Sequence, residues 1–218
     1  MPEYAGRRLQ ELQDRVEQHL LKLANVTAFM LETDSFHSWL QTGHPFSRRV
    51  VQAGTLLFNA NQFSPESFGE QQISPGDLEA CYTVGLHRAQ EFLAGAQLYQ
   101  LRREYGLSAF NLRQAVEQSL FTLLKLGTGY HCHIHSISRL MRYCALVTPA
   151  LHGIFPRHTD HEKELFRLLQ AAYVSSRYSP DFKLSFAQLQ ALHERTLKVI
   201  QLLQQEARRM LDRIPALG

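Results

Sequence analysis

Ala172-Tyr173-Val174-Ser175-Ser176-Arg177-Tyr178-Ser179-Pro180-Asp181-Phe182 sets a cation, an anion and three aromatic rings between two strongly helical segments. Upstream, Thr159-Asp160-His161-Glu162 has the form of a capping box, and Leu165, Leu168, Leu169 and Tyr173 follow at helical spacing. Downstream, Ser185-Phe186-Ala187-Gln188 repeats that form. It opens a last helix to about Arg213, with Leu189, Leu192, Leu197, Ile200 and Leu203 on its inner side. The stretch is therefore a helix–helix junction.

Working back from it, a helix from His135 or Ser136 carries Leu140, Met141, Tyr143, Cys144 and Leu146 up to Thr148-Pro149. Before that, Ser108 is the expected cap of a helix holding Phe110, Leu112, Val116, Leu120, Leu123 and Leu124, which ends at Gly127-Thr128-Gly129. Ser74-Pro75-Gly76-Asp77 supplies a capping hydroxyl, a proline at the first helical position and an acid in the first turn. A long helix should run from there to about Tyr105, stopped by Gly106. About five helices with short connections predict an antiparallel bundle over residues 76–213.

The N-terminal part reads differently. Leu9, Leu12, Val16, Leu20, Leu21 and Leu23 recur at helical spacing within residues 5–24. Asn25-Val26-Thr27-Ala28-Phe29-Met30-Leu31 then switches to a β-branched and aromatic run, as in a buried strand. Short helices follow around Phe36, Trp39 and Leu40 and, after Gly43-His44-Pro45, through Val50 and Val51; Thr55-Leu56-Leu57-Phe58-Asn59 is a second strand candidate. The expected fold is thus mainly α, a helical bundle preceded by a small α/β segment with two short strands over residues 1–60. Residues 61–75, rich in Asn, Gln, Ser, Pro and Gly, read as a linker.

The chain has 218 residues, 44% apolar and 20% charged, as in an ordinary globular protein. No apolar run approaches the roughly 18 residues that span a bilayer, so no membrane partner is expected. Nothing at the N-terminus has the pattern of a secretory signal, and Cys81, Cys132 and Cys144 do not form a disulfide framework. A cytoplasmic setting is the default expectation. A net charge of +3 is too small to argue for nucleic acid by itself. The pairs Arg7-Arg8, Arg48-Arg49, Arg102-Arg103 and Arg208-Arg209 are scattered rather than striped.

Four blocks in order carry a resemblance: Phe110-Asn111-Leu112-Arg113-Gln114-Ala115-Val116-Glu117-Gln118, Thr128-Gly129-Tyr130, Ile134-His135-Ser136-Ile137, and Ala172 to Phe182. Together they resemble the HEPN family (higher eukaryote and prokaryote nucleotide-binding), over about residues 78–212. The resemblance implies an all-α bundle that dimerises. In the subgroup it looks most like, the bundle follows a minimal nucleotidyltransferase domain, and residues 26–58 are similar to the tail half of such a domain.

Two catalytic signatures are missing. A nucleotidyltransferase needs a Gly-Ser turn for the phosphates and two strand carboxylates for a divalent metal. This chain has no Gly-Ser dipeptide and no Asp-x-Asp. Many HEPN members are metal-independent ribonucleases with an arginine followed a few residues later by a histidine. Arg177 takes the arginine's place, but Phe182-Lys183-Leu184 stands where the histidine would be. No catalytic residue is assigned by either signature.

The candidate ligand-binding residues are Arg177, Tyr178, Asp181, Tyr173, His135, Gln114 and Glu117. Arg177 offers a charge-assisted fork for phosphate and Tyr178 a ring face for a base. In the structural alternative Arg177 neutralises a helix end, Asp181 pairs with it, and the rings are core. His135 matches the family histidine at the start of the third helix, where it caps that helix or faces the junction. Gln114 and Glu117 line a pocket with Arg113 or form a solvent face. His131-Cys132-His133-Ile134-His135 holds good zinc ligands, but alternating ligands in one loop rarely close a tetrahedron and no second pair sits at finger-like spacing. No metal and no cofactor are expected. The expected function is a dimeric nucleotide- or RNA-binding module, or the substrate-binding partner of a separate nucleotidyltransferase chain. The alternatives are a metal-independent RNase with a non-standard site and a structural dimerisation module.

Overall fold

The computed structural model describes residues 2–20, 22–24, 26–59, 74–132, 134–179 and 181–212, with all their side chains but those of residues 2–8, Gln10 and Arg177. The chain divides into two compact units, Met1–Gln72 and Ile73–Gly218. Apart from Ser74 and Pro75, the expected linker lies outside the described residues. No helix among the described residues is long and apolar enough to cross a membrane.

The first unit contains α1 (Pro2–Leu20), α2 (Thr33–Thr42) and α3 (Pro45–Ala53). Neither expected strand forms, and no strand occurs among the described residues. The reason is visible at the first of them. Gln13 and Glu17, one helical turn apart on α1 and both buried, turn their side chains toward the run after the helix. The amide of Ala28 donates to Glu17 Oε1 at 3.1 Å and that of Met30 to Gln13 Oε1 at 3.4 Å. Alternate amides that would have joined a ladder are thus met by a helix face. In the second candidate, Leu56, Leu57 and Phe58 are 65%, 91% and 83% exposed, so no buried sheet position exists for them.

Gly43-His44-Pro45 starts α3. Gly43 takes a left-handed φ of 76° at the end of α2, and His44 Nδ1 accepts the Phe46 amide at 3.2 Å. The His44 ring stacks on Trp39, with centroids 4.8 Å apart, and Phe46 packs edge-on against Trp39 and beside Phe29. Burial holds the His44 pKa below the ordinary 6.5. The unfolded chain then binds more protons than the folded one just below pH 6.5, so this residue's contribution is intact above that pH and lost as pH falls through the folded pKa. Trp39 is the only tryptophan and reports the change directly. Its fluorescence is expected to fall with an apparent pKa below 6.5, and His44→Gln to remove the titration; a midpoint above 6.5 contradicts the packing.

The second unit is the bundle: α4 (Pro75–Leu101), α5 (Tyr105–Thr128), α6 (Ile137–Cys144), a short 3-10 helix (Pro149–Gly153), α7 (Asp160–Tyr178) and α8 (Phe186–Asp212). α5 lies at its centre and packs against α4, α6, α7 and α8; α8 also packs against α4. Its sequence explains the position, since Ala109, Leu112, Ala115, Val116, Leu120, Leu123 and Leu124 are fully buried and no residue from Tyr105 to Leu124 is exposed. The polar residues on it are matched internally: Ser119, Thr122 and Thr128 each donate to the carbonyl four residues back.

Most expected helix ends hold. Ser74 caps α4 by accepting the Asp77 amide, Ser136 caps α6, and Thr159 with Glu162 makes a complete capping box on α7. Ser185 and Gln188 bond reciprocally at the start of α8. The α4–α5 turn differs. The chain breaks at Arg102–Glu104, with Arg103 at φ 61°, and Gly106 lies inside α5. Ser108 is buried and its hydroxyl donates to the Ala96 carbonyl at 2.7 Å, tying α5 to α4 rather than capping it.

Candidate functional site

Arg113 and Glu117 occupy successive turns of α5 and are 3% and 2% exposed. Arg113 Nη1 donates to Glu117 Oε1 at 3.2 Å and to Gln114 Oε1 at 2.8 Å, and Nη2 donates to the His135 carbonyl. An ion buried this deeply costs several kcal/mol unless its partners are well placed. Here the donors and the carboxylate face each other within one helix, where i,i+4 spacing brings them together.

Glu117 Oε1 meets a second group, His135 Nδ1, at 3.2 Å. An ionised carboxylate only accepts, so Nδ1 carries the proton. The Nε2 edge is left as the acceptor of the neutral ring, or as a donor once the ring is protonated. The His135 side chain is 64% exposed while that of Glu117 is 3%. The arrangement is a surface imidazole held from below by a buried carboxylate, itself neutralised by a buried guanidinium. His135 reaches this place because α5 ends at Gly129, whose left-handed φ of 74° turns the chain back toward α6. Thr128 Oγ1 secures that turn by accepting the Tyr130 amide at 3.0 Å.

α7 adds an aromatic wall. The Arg113 guanidinium carbon lies 4.3 Å from the centre of the Tyr173 ring. The Tyr173 and His135 rings are parallel to within 4°, with centroids 6.5 Å apart. Phe110 stacks on Tyr173, and Phe121 meets His135 edge-on. The cluster therefore combines a hydrogen-bonding imidazole edge, ring faces and a fixed internal charge. That set can hold a planar heterocycle and hydrogen-bond to a group beside it.

Of the residues singled out from sequence, Gln114, Glu117, His135 and Tyr173 come together in this cluster. His135 does not cap α6; Ser136 does. Tyr178 and Asp181 are exposed beyond the cluster. Arg177 lies in α7 one turn after Tyr173, and its side chain is outside the described set. Arg113 carries more of the site than sequence reasoning gave it; its signal was a charged residue four positions before Glu117 on an otherwise apolar helix. His133 of the His/Cys loop lies outside the described residues, and among those described no group of three or more His, Cys, Asp or Glu could hold a metal. Cys132 and Cys144 are buried, and burial pushes both thiols up, away from the reactive thiolate. A shallow groove between α4 and α8, lined by Gln97, Gln100, Leu101, Gln190, His193 and Glu194, shares no residue with the cluster.

Glu117→Ala leaves Arg113 buried without its carboxylate and is expected to destabilise the bundle by about 3–5 kcal/mol. Replacing both as Arg113→Met with Glu117→Leu should recover most of that loss. Urea denaturation decides it; equal losses in the single and double variants would contradict the pairing.

A family model described as the HEPN domain matches residues 83–211, more than half of the chain and nearly all of the bundle. No curated protein matches the chain. With the match covering the helices that build the Arg113–Glu117–His135–Tyr173 cluster, the chain belongs to the HEPN domain family.

Proposed function

We propose that the bundle is a nucleotide- or RNA-binding module without chemistry of its own, acting as a dimer and as the substrate-binding partner of a separate nucleotidyltransferase chain. The observation that carries the reading is the exposed His135 imidazole, fixed through Glu117 and Arg113 beside the Tyr173 ring. A base stacks on the ring faces, and His135 bonds to a polar group of the same ligand. Arg177, one turn beyond Tyr173, supplies the phosphate contact. Val174 and Tyr178, exposed and one turn apart on α7, offer a second copy an apolar contact next to the site.

One observation favours a second reading, metal-independent RNA cleavage: an imidazole oriented by a carboxylate is a competent proton carrier. A single set of samples separates the two. Nucleotides and short RNAs are added to the full chain during thermal unfolding. A ligand at about 100 times its Kd adds about 2.7 kcal/mol, a rise of several degrees in Tm. The rise is expected in the wild type and should shrink in Arg177→Ala and in His135→Ala, with the RNA recovered intact. No rise with any nucleotide or RNA refutes binding. RNA shortened in the presence of a chelator, and spared by His135→Ala, selects cleavage instead.

A further inference from the structure

We propose that Arg157 and Arg195 form a second anion site, which takes a phosphate group independently of the His135 cluster. Each arginine stands over one ring of the same aromatic pair. Phe155, just after the 3-10 helix, and Phe166, on α7, are 2% and 3% exposed, with centroids 5.8 Å apart. The Arg157 guanidinium carbon lies 4.7 Å from the Phe166 centre, and that of Arg195, on α8, 5.9 Å from the Phe155 centre. Ring faces hold each guanidinium from one side and leave its N–H groups to be satisfied elsewhere.

Nothing among the described residues satisfies them. Among the described residues, neither guanidinium makes a hydrogen bond or an ion pair, and Arg195 Nη1 is buried without an acceptor. The carboxylates at the start of α7 are committed to other groups. Asp160 pairs with Lys163, Glu162 takes the His158 and Thr159 amides, and Glu164 forks onto Arg167. Elsewhere the arginine Arg209 has its own acid, Glu206. Lys198, exposed one turn beyond Arg195, adds a third positive charge on α8. Two guanidiniums already oriented by ring contacts and lacking a carboxylate suit a tetrahedral, multiply charged oxyanion better than a monovalent ion.

The test is a titration of the full chain with inorganic phosphate at constant ionic strength, read on the side-chain N–H signals of the arginines. Saturable shifts at Arg157 and Arg195 are expected, unchanged in His135→Ala. Arg157→Gln, a substitution at an exposed residue that should leave the fold intact, is expected to weaken phosphate at least about tenfold; Arg157→Lys should fall between. A nucleoside monophosphate added in the His135→Ala background then identifies the source. Displacement of inorganic phosphate assigns the site to phosphoryl groups of nucleotides, and failure to displace assigns it to free oxyanions. Shifts that do not saturate, or wild-type affinity in Arg157→Gln, overturn the proposal. Because His135→Ala retains this site, its failure is distinct from failure of the nucleotide-binding reading.

Discussion

Burying Arg113 and Glu117 in α5 is the constraint on which the bundle turns. Neither ion is tolerable alone in a helix whose other inward positions carry no charge, and removing either one strands the other. Together they also bond to a single residue of the next loop. Arg113 takes the His135 carbonyl and Glu117 takes its ring, so His135 is gripped by backbone and side chain at once. Ser136 follows immediately and caps α6, so the same grip fixes where α6 begins. The outer face of Arg113 rests on Tyr173 and brings α7 into register. One ion pair thus ties the central helix to the loop, to α6 and to α7.

The site follows from the same geometry. The charge that organises it is internal and almost inaccessible, while the group presented to solvent is a neutral or singly charged imidazole beside ring faces. Such a surface favours a flat ligand with a polar edge over a bare anion. The Arg157 and Arg195 pair is the converse: each guanidinium stands over a ring, and among the described residues neither has a carboxylate of its own.

Helix ends were legible in the sequence because capping is local. Ser74, Ser136, Thr159 with Glu162, and Ser185 with Gln188 each meet their partners within three residues. What failed was decided over longer distances. Gly106 reads as a helix stop, yet it sits within α5 where Phe182 packs close to it, and the turn falls instead at Arg103. The run from Val26 to Leu31 has strand composition, but composition does not tell which group satisfies its amides, and α1 supplies two of the acceptors. The site residues were likewise found one by one. Glu117 and His135 are 18 positions apart, and only the Gly129 turn brings them together. Arg113 was masked by its surroundings, since a charged residue on a central helix looks like a solvent face until its partner is seen.

The central claim, that buried Glu117 sets the state of exposed His135, is tested most directly by nitrogen NMR of the imidazole. In its neutral form the His135 ring should carry its proton on Nδ1, with Nε2 bare, and the Arg113→Met/Glu117→Leu variant should shift that proton toward Nε2, the form that free imidazole side chains favour. An Nε2-protonated ring in the wild type, or an Nδ1 preference that survives the loss of Glu117, would contradict the account.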